Sequence, residues 1–372
     1  MKQLSERELD VWSAVLLGGL VPLAGERTPQ SLYYILVGRK AHQTIQDVHH
    51  YRLHPYYRLF PGFLRERWQD FVTYFLQQGW LEREKADSPS GRWTFRVTAQ
   101  GERQRRAGWR RYRLAEWLMP LDGIACAERL ELFWLRLHLL VQTISQLEHG
   151  QPAFYPVVQR KQIQEWVKRL FTRPGLRRHV SGSQLYQELL AALTPHEVAL
   201  QRLLVEQLSG ADQVGCTLEQ LASRMDEPLP LLHIKLRYLL TRIVRQVQAE
   251  GAQRFPLLSA LAAVESGGDP RLSASAGETY RLLKQGLGIA EIARRRGLKQ
   301  GTIEDHLVEI ALHCPEWDPA PYLTEAQKQQ ILATSRRAGT KRLRVMKELL
   351  GEEYSYLQIR LALAQERGEE HG

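Results

Sequence analysis

A chain of 372 residues with 44% apolar side chains is long enough for two or three domains, each with its own core. Lysine and arginine number 51 against 41 aspartates and glutamates, and the resulting net charge of +10 favours an anionic partner, most commonly nucleic acid for a helical protein. Cys126, Cys216 and Cys314 lie far apart with no CxxC pair, which argues against a disulfide framework or a cysteine zinc site and fits a reducing cytoplasm.

The opening MKQLSERELD puts acids where a signal peptide is basic and then apolar. The apolar stretch Val11 to Ala24 is too short for a membrane span and holds Gly18, Gly19 and Pro22. No membrane association is expected. Residues 5–20 read as a helix. Thr28 with Pro29 marks the next helix start, and Leu32, Ile35 and Leu36 give its buried face. Gly38 stops that helix, and a further segment carries Ile45 and Val48 as candidate core. The pair predicts a helix-turn-helix with Lys40, Gln43 and Thr44 outward. Trp68, Phe71, Val72 and Phe75 fall at i, i+3, i+4 and i+7, one face of a helix over 65–78 that Gly79 ends. Residues 80–83 read as a strand, and 86–91 as a turn. Trp93, Phe95 and Val97 alternate with Arg92, Thr94 and Arg96, the pattern of a half-buried strand. Helices followed by a hairpin predict a winged helix whose wing carries Arg92 and Arg96 towards phosphate. A hairpin that only covers the core is the plainer reading.

Residues 101–113 read GERQRRAGWRRYR. A run of this kind is usually a solvated helix face. Trp109 and Tyr112 among Arg105, Arg106, Arg110 and Arg111 add a nucleic-acid reading, with rings stacking on bases and guanidinium groups on phosphates. Residues 114–150 are helical and apolar, and Leu130, Leu132, Leu135, Leu139 and Leu140 mark a core or partner surface. A second basic helix and turn spans 160–178. Thr194 with Pro195 starts another helix, and Thr217 caps a short one. The stretch ending ESGGDP is a domain boundary.

The C-terminal unit is punctuated by three expected capping boxes: Ser275 with Glu278, Thr324 with Gln327, and Ser355 with Gln358. Within it, residues 289–307 read IAEIARRRGLKQGTIEDHL. Ile289, Ile292 and Ala293 form one stripe, Gly297 turns, Leu298 plugs the turn, and Ile303, Leu307 and Ile310 form a second stripe. This predicts a helix-turn-helix with Arg294, Arg295, Arg296, Lys299, Gln300, Thr302 and His306 outward. Such a motif lays its second helix in the major groove, N-terminal residues towards the bases.

Glu278-Thr279-Tyr280, Gly286, the 289–307 stretch and Tyr356 with Ile359 to Ala362 resemble the helix-turn-helix domain at the C-terminus of RecQ-type helicases. With SLYYILVGRKAHQTIQD near the N-terminus, the whole chain resembles the YpbB-type bacterial family. That resemblance implies an accessory protein acting beside a RecQ-type helicase.

The chain lacks a G-x4-G-K-[ST] loop, so it is not expected to be a helicase itself. His196-Glu197 begins an HExxH pattern that Leu200 breaks, and no G-x-S-x-G elbow occurs. Asp47, His50 and His54 have helical spacing but read as a hydrogen-bonded surface sooner than as metal ligands. The expectation is therefore a mainly α, multi-domain protein in three parts. Residues 1–113 are winged-helix-like with a small hairpin wing, 114–255 are helical with basic segments, and 273–369 are a helix-turn-helix domain. It has no catalytic residue, metal, cofactor or small-molecule substrate. Its partners are DNA and a RecQ-type helicase, and its place is the cytoplasm, on the nucleoid. A sequence-specific transcription regulator and a protein-interaction scaffold are the alternatives.

Overall fold

The computed structural model describes residues 4–84, 93–175, 177–264 and 272–366, which form nineteen α-helices and one antiparallel hairpin. They fall into two compact units, 1–18 with 99–264, and 19–98 with 265–372. These units cut across the expected segments 1–113, 114–255 and 273–369, because packing partners lie far apart along the chain.

In chain order the helices begin with α1 (Glu6–Leu20), α2 (Gln30–Val37), α3 (His42–His50) and α4 (Arg65–Gln77). Gly38 ends α2 in the left-handed region at φ 74°. Thr28 does not cap α2 through its side chain; the cap position is Pro29. The hairpin follows as β1 (Leu81–Glu84) and β2 (Thr94–Val97), with Leu81 opposite Val97 and Arg83 opposite Phe95. Phe95 is fully buried and Arg96 exposed, so the alternation read from sequence holds.

Next come α5 (Ala99–Arg111), α6 (Leu114–Leu118), α7 (Gly123–Glu148) and α8 (Lys161–Leu170). Then follow α9 (Gly182–Leu193), α10 (Val198–Val205), α11 (Leu218–Met225), α12 (Leu229–Arg254) and α13 (Pro256–Ala262). In the first unit, α7 packs against α8, α9, α12 and α13. Leu130, Phe133, Leu137, Leu139 and Leu140 are buried there and Leu132 and Leu135 half-buried, so this stretch is mainly core. Thr217 caps α11 in a full capping box with Gln220. Thr194 instead closes α9, and α10 starts at Val198, three residues later than a cap at Thr194 with Pro195 in the first turn implies.

The second unit is completed by α14 (Ala274–Leu283), α15 (Ile289–Arg296), α16 (Gln300–His313), α17 (Glu325–Ala338), α18 (Leu343–Leu350) and α19 (Tyr356–Ala364). These six helices are two copies of one three-helix plan. The middle helix of each copy has eight residues and ends at a glycine of positive φ, Gly297 or Gly351. The residue before each third-helix cap, Leu298 or Tyr354, packs into the core. Four residues beyond each cap stands a fully buried isoleucine, Ile303 or Ile359. Third helices α16 and α19 pack on each other. Thr324 with Gln327 and Ser355 with Gln358 are complete capping boxes. At α14 the cap is Ser273, accepting from the Ala276 amide, and not Ser275. Glu278 pairs with Arg281 at 2.7 Å and does not reach back to a cap.

Residues 19–98 join this unit through α3, which packs against both α16 and α19. Glu26 accepts the Thr340 hydroxyl at 2.9 Å, and Arg342 donates to the Glu26 carbonyl at 3.1 Å. His54 Nε2 lies 3.0 Å from His49 Nδ1, and the His49 ring meets His313 edge-on at 4.9 Å between centroids. Burial, then the neighbouring His313, His54 and His50, hold the His49 pKa down at about 2. Burial, then Lys341 and Arg27, hold His50 at about 3.

Both rings stay neutral in the fold, whereas an unfolded chain protonates them near the ordinary value of 6.5. Below that value the unfolded state binds more protons, so acid favours unfolding. Stability from these groups should be level above pH 6.5 and fall from there towards about pH 3. The slope is up to ~1.4 kcal/mol per pH unit for each ring. Denaturation midpoints of the full chain from pH 7.5 to 4.5 measure this, and His49→Gln should flatten the curve. An unchanged midpoint from pH 7 to 5 would contradict it.

Candidate nucleic-acid interface

The α15–turn–α16 geometry follows from local chemistry. Gly297 takes φ 63°, a conformation that costs any residue with a Cβ. The Leu298 amide then bonds back to the Ala293 carbonyl at 2.9 Å, closing the first helix and driving Leu298 inward. Lys299 stands at the cap of α16 and makes no side-chain cap bond. The Thr302 amide bonds back to the Lys299 carbonyl at 3.0 Å, which leaves the Gln300 and Gly301 amides, at the positive end of the helix dipole, for an outside acceptor.

Burial decides which part of α16 faces outward. Ile303, His306, Leu307, Val308, Ile310 and Ala311 are all buried, because α14, α15, α19 and α3 cover the helix. Gln300 and Gly301 are exposed and Thr302 is half-buried. Arg294 and Arg295, at the end of α15, are exposed beside Lys299. The outward surface is therefore the turn itself: Arg294, Arg295, Lys299, Gln300 and Thr302.

Two residues expected outward are not. His306 is 3% exposed, and its Nδ1 lies 2.8 Å from the Thr279 hydroxyl. Arg296 donates to the Ser275 carbonyl at 2.8 Å and to the Thr279 hydroxyl. The chain Arg296–Thr279–His306 ties the three helices of the first repeat together, so both side chains serve the frame. Asp305 is met by Arg360 of α19 at 2.5 Å. Its charge is offset within the protein, and the helix repels phosphate less than its sequence suggests. Sequence offers no signal for that pair, whose members are 55 residues apart.

The other expected contacts are placed less favourably. Lys40 and Gln43 are exposed, but Gln43 donates to Asp47 at 2.8 Å, and Thr44 is buried at 6%. Asp47 in turn holds Arg27 at 2.9 Å. Helix α3 is buried on more faces than Ile45 and Val48 imply, because it wedges against α16 and α19. It is a packing helix and not a groove reader. On the hairpin, Arg96 is exposed but pairs with Glu82 directly across the ladder. Arg92 lies outside the described residues.

In the first unit, Arg105 and Arg106 both pair with Glu102, at 2.6 and 2.8 Å. These bonds, Arg105 foremost, lower the Glu102 pKa to about 2. Arg111 pairs with Asp10 at 2.7 Å, and Arg110 is exposed. Trp109 donates to the Ala14 carbonyl at 2.9 Å and Tyr112 to Asp10 at 3.1 Å. Both rings anchor α5 to α1 and are not offered to bases. Gly108 permits the contact: a Cβ there would collide with that of Ala14. Among the described residues no group of histidines, cysteines or acids is arranged to hold a metal. No described helix is long and apolar enough to cross a membrane.

These features define a helix-turn-helix, and the family model described as a helix-turn-helix domain matches residues 275–363. The match and the basic turn together support DNA binding. Over 366 residues, 96% of this chain and 98% of the relative, the chain is 28% identical to Protein YpbB of Bacillus subtilis (strain 168). No solved structure matches significantly.

Replacing Arg294, Arg295 and Lys299 together with alanine should lower duplex affinity and reduce the log–log salt slope by about two to three units, near one per lost phosphate contact. His306→Ala should instead lower stability, since it removes one of the two partners of the buried Thr279 hydroxyl and leaves a cavity. Salt titrations and denaturation midpoints of both variants separate the two roles. An unchanged slope in the triple variant would contradict the placement.

Proposed function

We propose that the protein is a non-catalytic DNA-binding accessory of a RecQ-type helicase, acting in the cytoplasm on the nucleoid in DNA recombination or repair. One observation carries the DNA part. The exposed part of α16 is its N-terminal turn, which has no side-chain cap, and Arg294, Arg295 and Lys299 are exposed just before it in the chain. Backbone amides, the helix dipole and exposed cations nearby in the chain support a reading of this turn as a phosphate site.

The same surface offers few groups that read bases. Gln300 and Thr302 can reach base edges, while Gly301 offers no side chain. That favours weakly selective binding over a transcription regulator that recognises one operator. The helicase part rests on the relative's similarity over nearly the full chain and on the resemblance of residues 278–362 to a domain fused to helicases elsewhere. In this reading the chain supplies a DNA grip, and the separate helicase supplies ATP chemistry.

Binding isotherms on single-stranded, duplex and forked DNA at several salt concentrations test the first claim. Affinity should fall steeply with salt, and duplexes of unrelated sequence should differ by less than about tenfold, well under the thousandfold or more of a specific regulator. A flat salt dependence would remove the DNA reading. For the second claim, the full chain should co-purify with the RecQ-type helicase of the same cell and alter its unwinding rate. Failure of both leaves DNA binding without the helicase.

A further inference from the structure

The two repeats of the second unit share a plan but not a surface. Counting back from the glycines Gly297 and Gly351, Arg294 and Arg295 correspond to Glu348 and Leu349. Counting forward from the caps, Lys299 and Gln300 correspond to Ser355 and Tyr356. Residues 289–302 carry four basic residues against one acid, whereas 343–358 carry two against three. The turn that attracts phosphate in the first repeat is slightly repulsive in the second.

An acid, a leucine and a serine stand in place of the three cations, and a tyrosine in place of Gln300. Leu349 is 55% exposed and Tyr356 50% exposed. The same segment carries three acids: Glu353, Glu348 paired with Arg344 at 3.1 Å, and Glu352 paired with Lys347 at 2.9 Å. The side chain of Glu352 is 96% exposed. The Glu348 pair, exposed on both sides, is weak and is readily exchanged for a better cation, whereas Lys347 is largely covered. Lys347 also donates to the Gly351 and Tyr354 carbonyls at 3.1 and 3.0 Å, which fixes the turn. Tyr354 is buried and donates to Gln330 at 2.6 Å. A firmly built turn therefore carries two large side chains in solvent, one on each side of it along the chain, in a segment with three acids. Side chains of this type form the centre of protein interfaces.

We infer that the α18–turn–α19 face is a protein-docking surface that takes a partner segment with lysine or arginine beside an apolar side chain. One repeat grips nucleic acid and the other grips protein. Because the partner is named by chemistry, the inference stands apart from the helicase reading, and it locates the contact if that reading holds.

The test uses the full chain, a synthetic amphipathic leucine–lysine helical peptide, duplex DNA and the purified RecQ-type helicase. Variants are Glu348→Lys with Glu352→Lys, Leu349→Ala with Tyr356→Ala, and the milder Glu348→Gln with Glu352→Gln. Peptide affinity should fall about tenfold in the first two and severalfold in the third, with duplex affinity unchanged or raised. The Arg294→Ala, Arg295→Ala pair should do the reverse. Equal peptide binding by all variants overturns the inference. So does a loss of duplex affinity in the second-repeat variants matching that of the Arg294, Arg295 pair. If the peptide result holds and the helicase fails to bind the unaltered chain, the docking surface stands and the helicase reading falls.

Discussion

The packing of α16 constrains everything else in the second unit. Helices α14 and α15 cover the face a helix-turn-helix always buries. Helix α19 adds a second covered face, fixed by the Arg360–Asp305 pair, and α3 adds a third. What remains for a ligand is the first turn. The same packing explains why two distant stretches of chain form one unit: Thr44, Gln46, Asp47 and Val48 of α3 are all buried within it.

Local signals were legible in the sequence wherever one residue's backbone or one helix face decides the outcome. Gly38 and Gly297 end their helices in the left-handed region, as their positions imply. The stripe of Ile303, Leu307 and Ile310 faces the core, and two of the three expected capping boxes form. The hairpin has its expected faces because a period of two leaves Phe95 little choice. Where local signals compete, the reading slipped: Ser273 and Ser275 are both fit to cap α14, and Glu278 is held by Arg281.

The illegible part was long-range. Periodicity marks one buried stripe per helix, so a helix covered on three sides looks half exposed. That is why His306 and Thr44 read as outward, and why the Arg360 partner of Asp305 carried no signal. Basic runs mislead for a related reason. Arg105, Arg106 and Arg111 sit in a strongly positive stretch, yet each has a carboxylate partner, two at Glu102 and one at Asp10. The run on α5 is largely a structural network, whereas the shorter run at Arg294 and Arg295 is exposed at a helix turn. The duplication of the three-helix plan was equally hidden, because the repeats keep their buried positions and exchange their surface ones.

The central claim is that the N-terminal turn of α16, and no other part of the second unit's three turn-linked helix pairs, meets DNA. Amide hydrogen exchange of the full chain with and without duplex DNA tests it most directly. The account predicts added protection in residues 293–303, with α3 and the 343–358 turn unchanged. Added protection at residues 42–50 or 343–358, with none at 293–303, would contradict it.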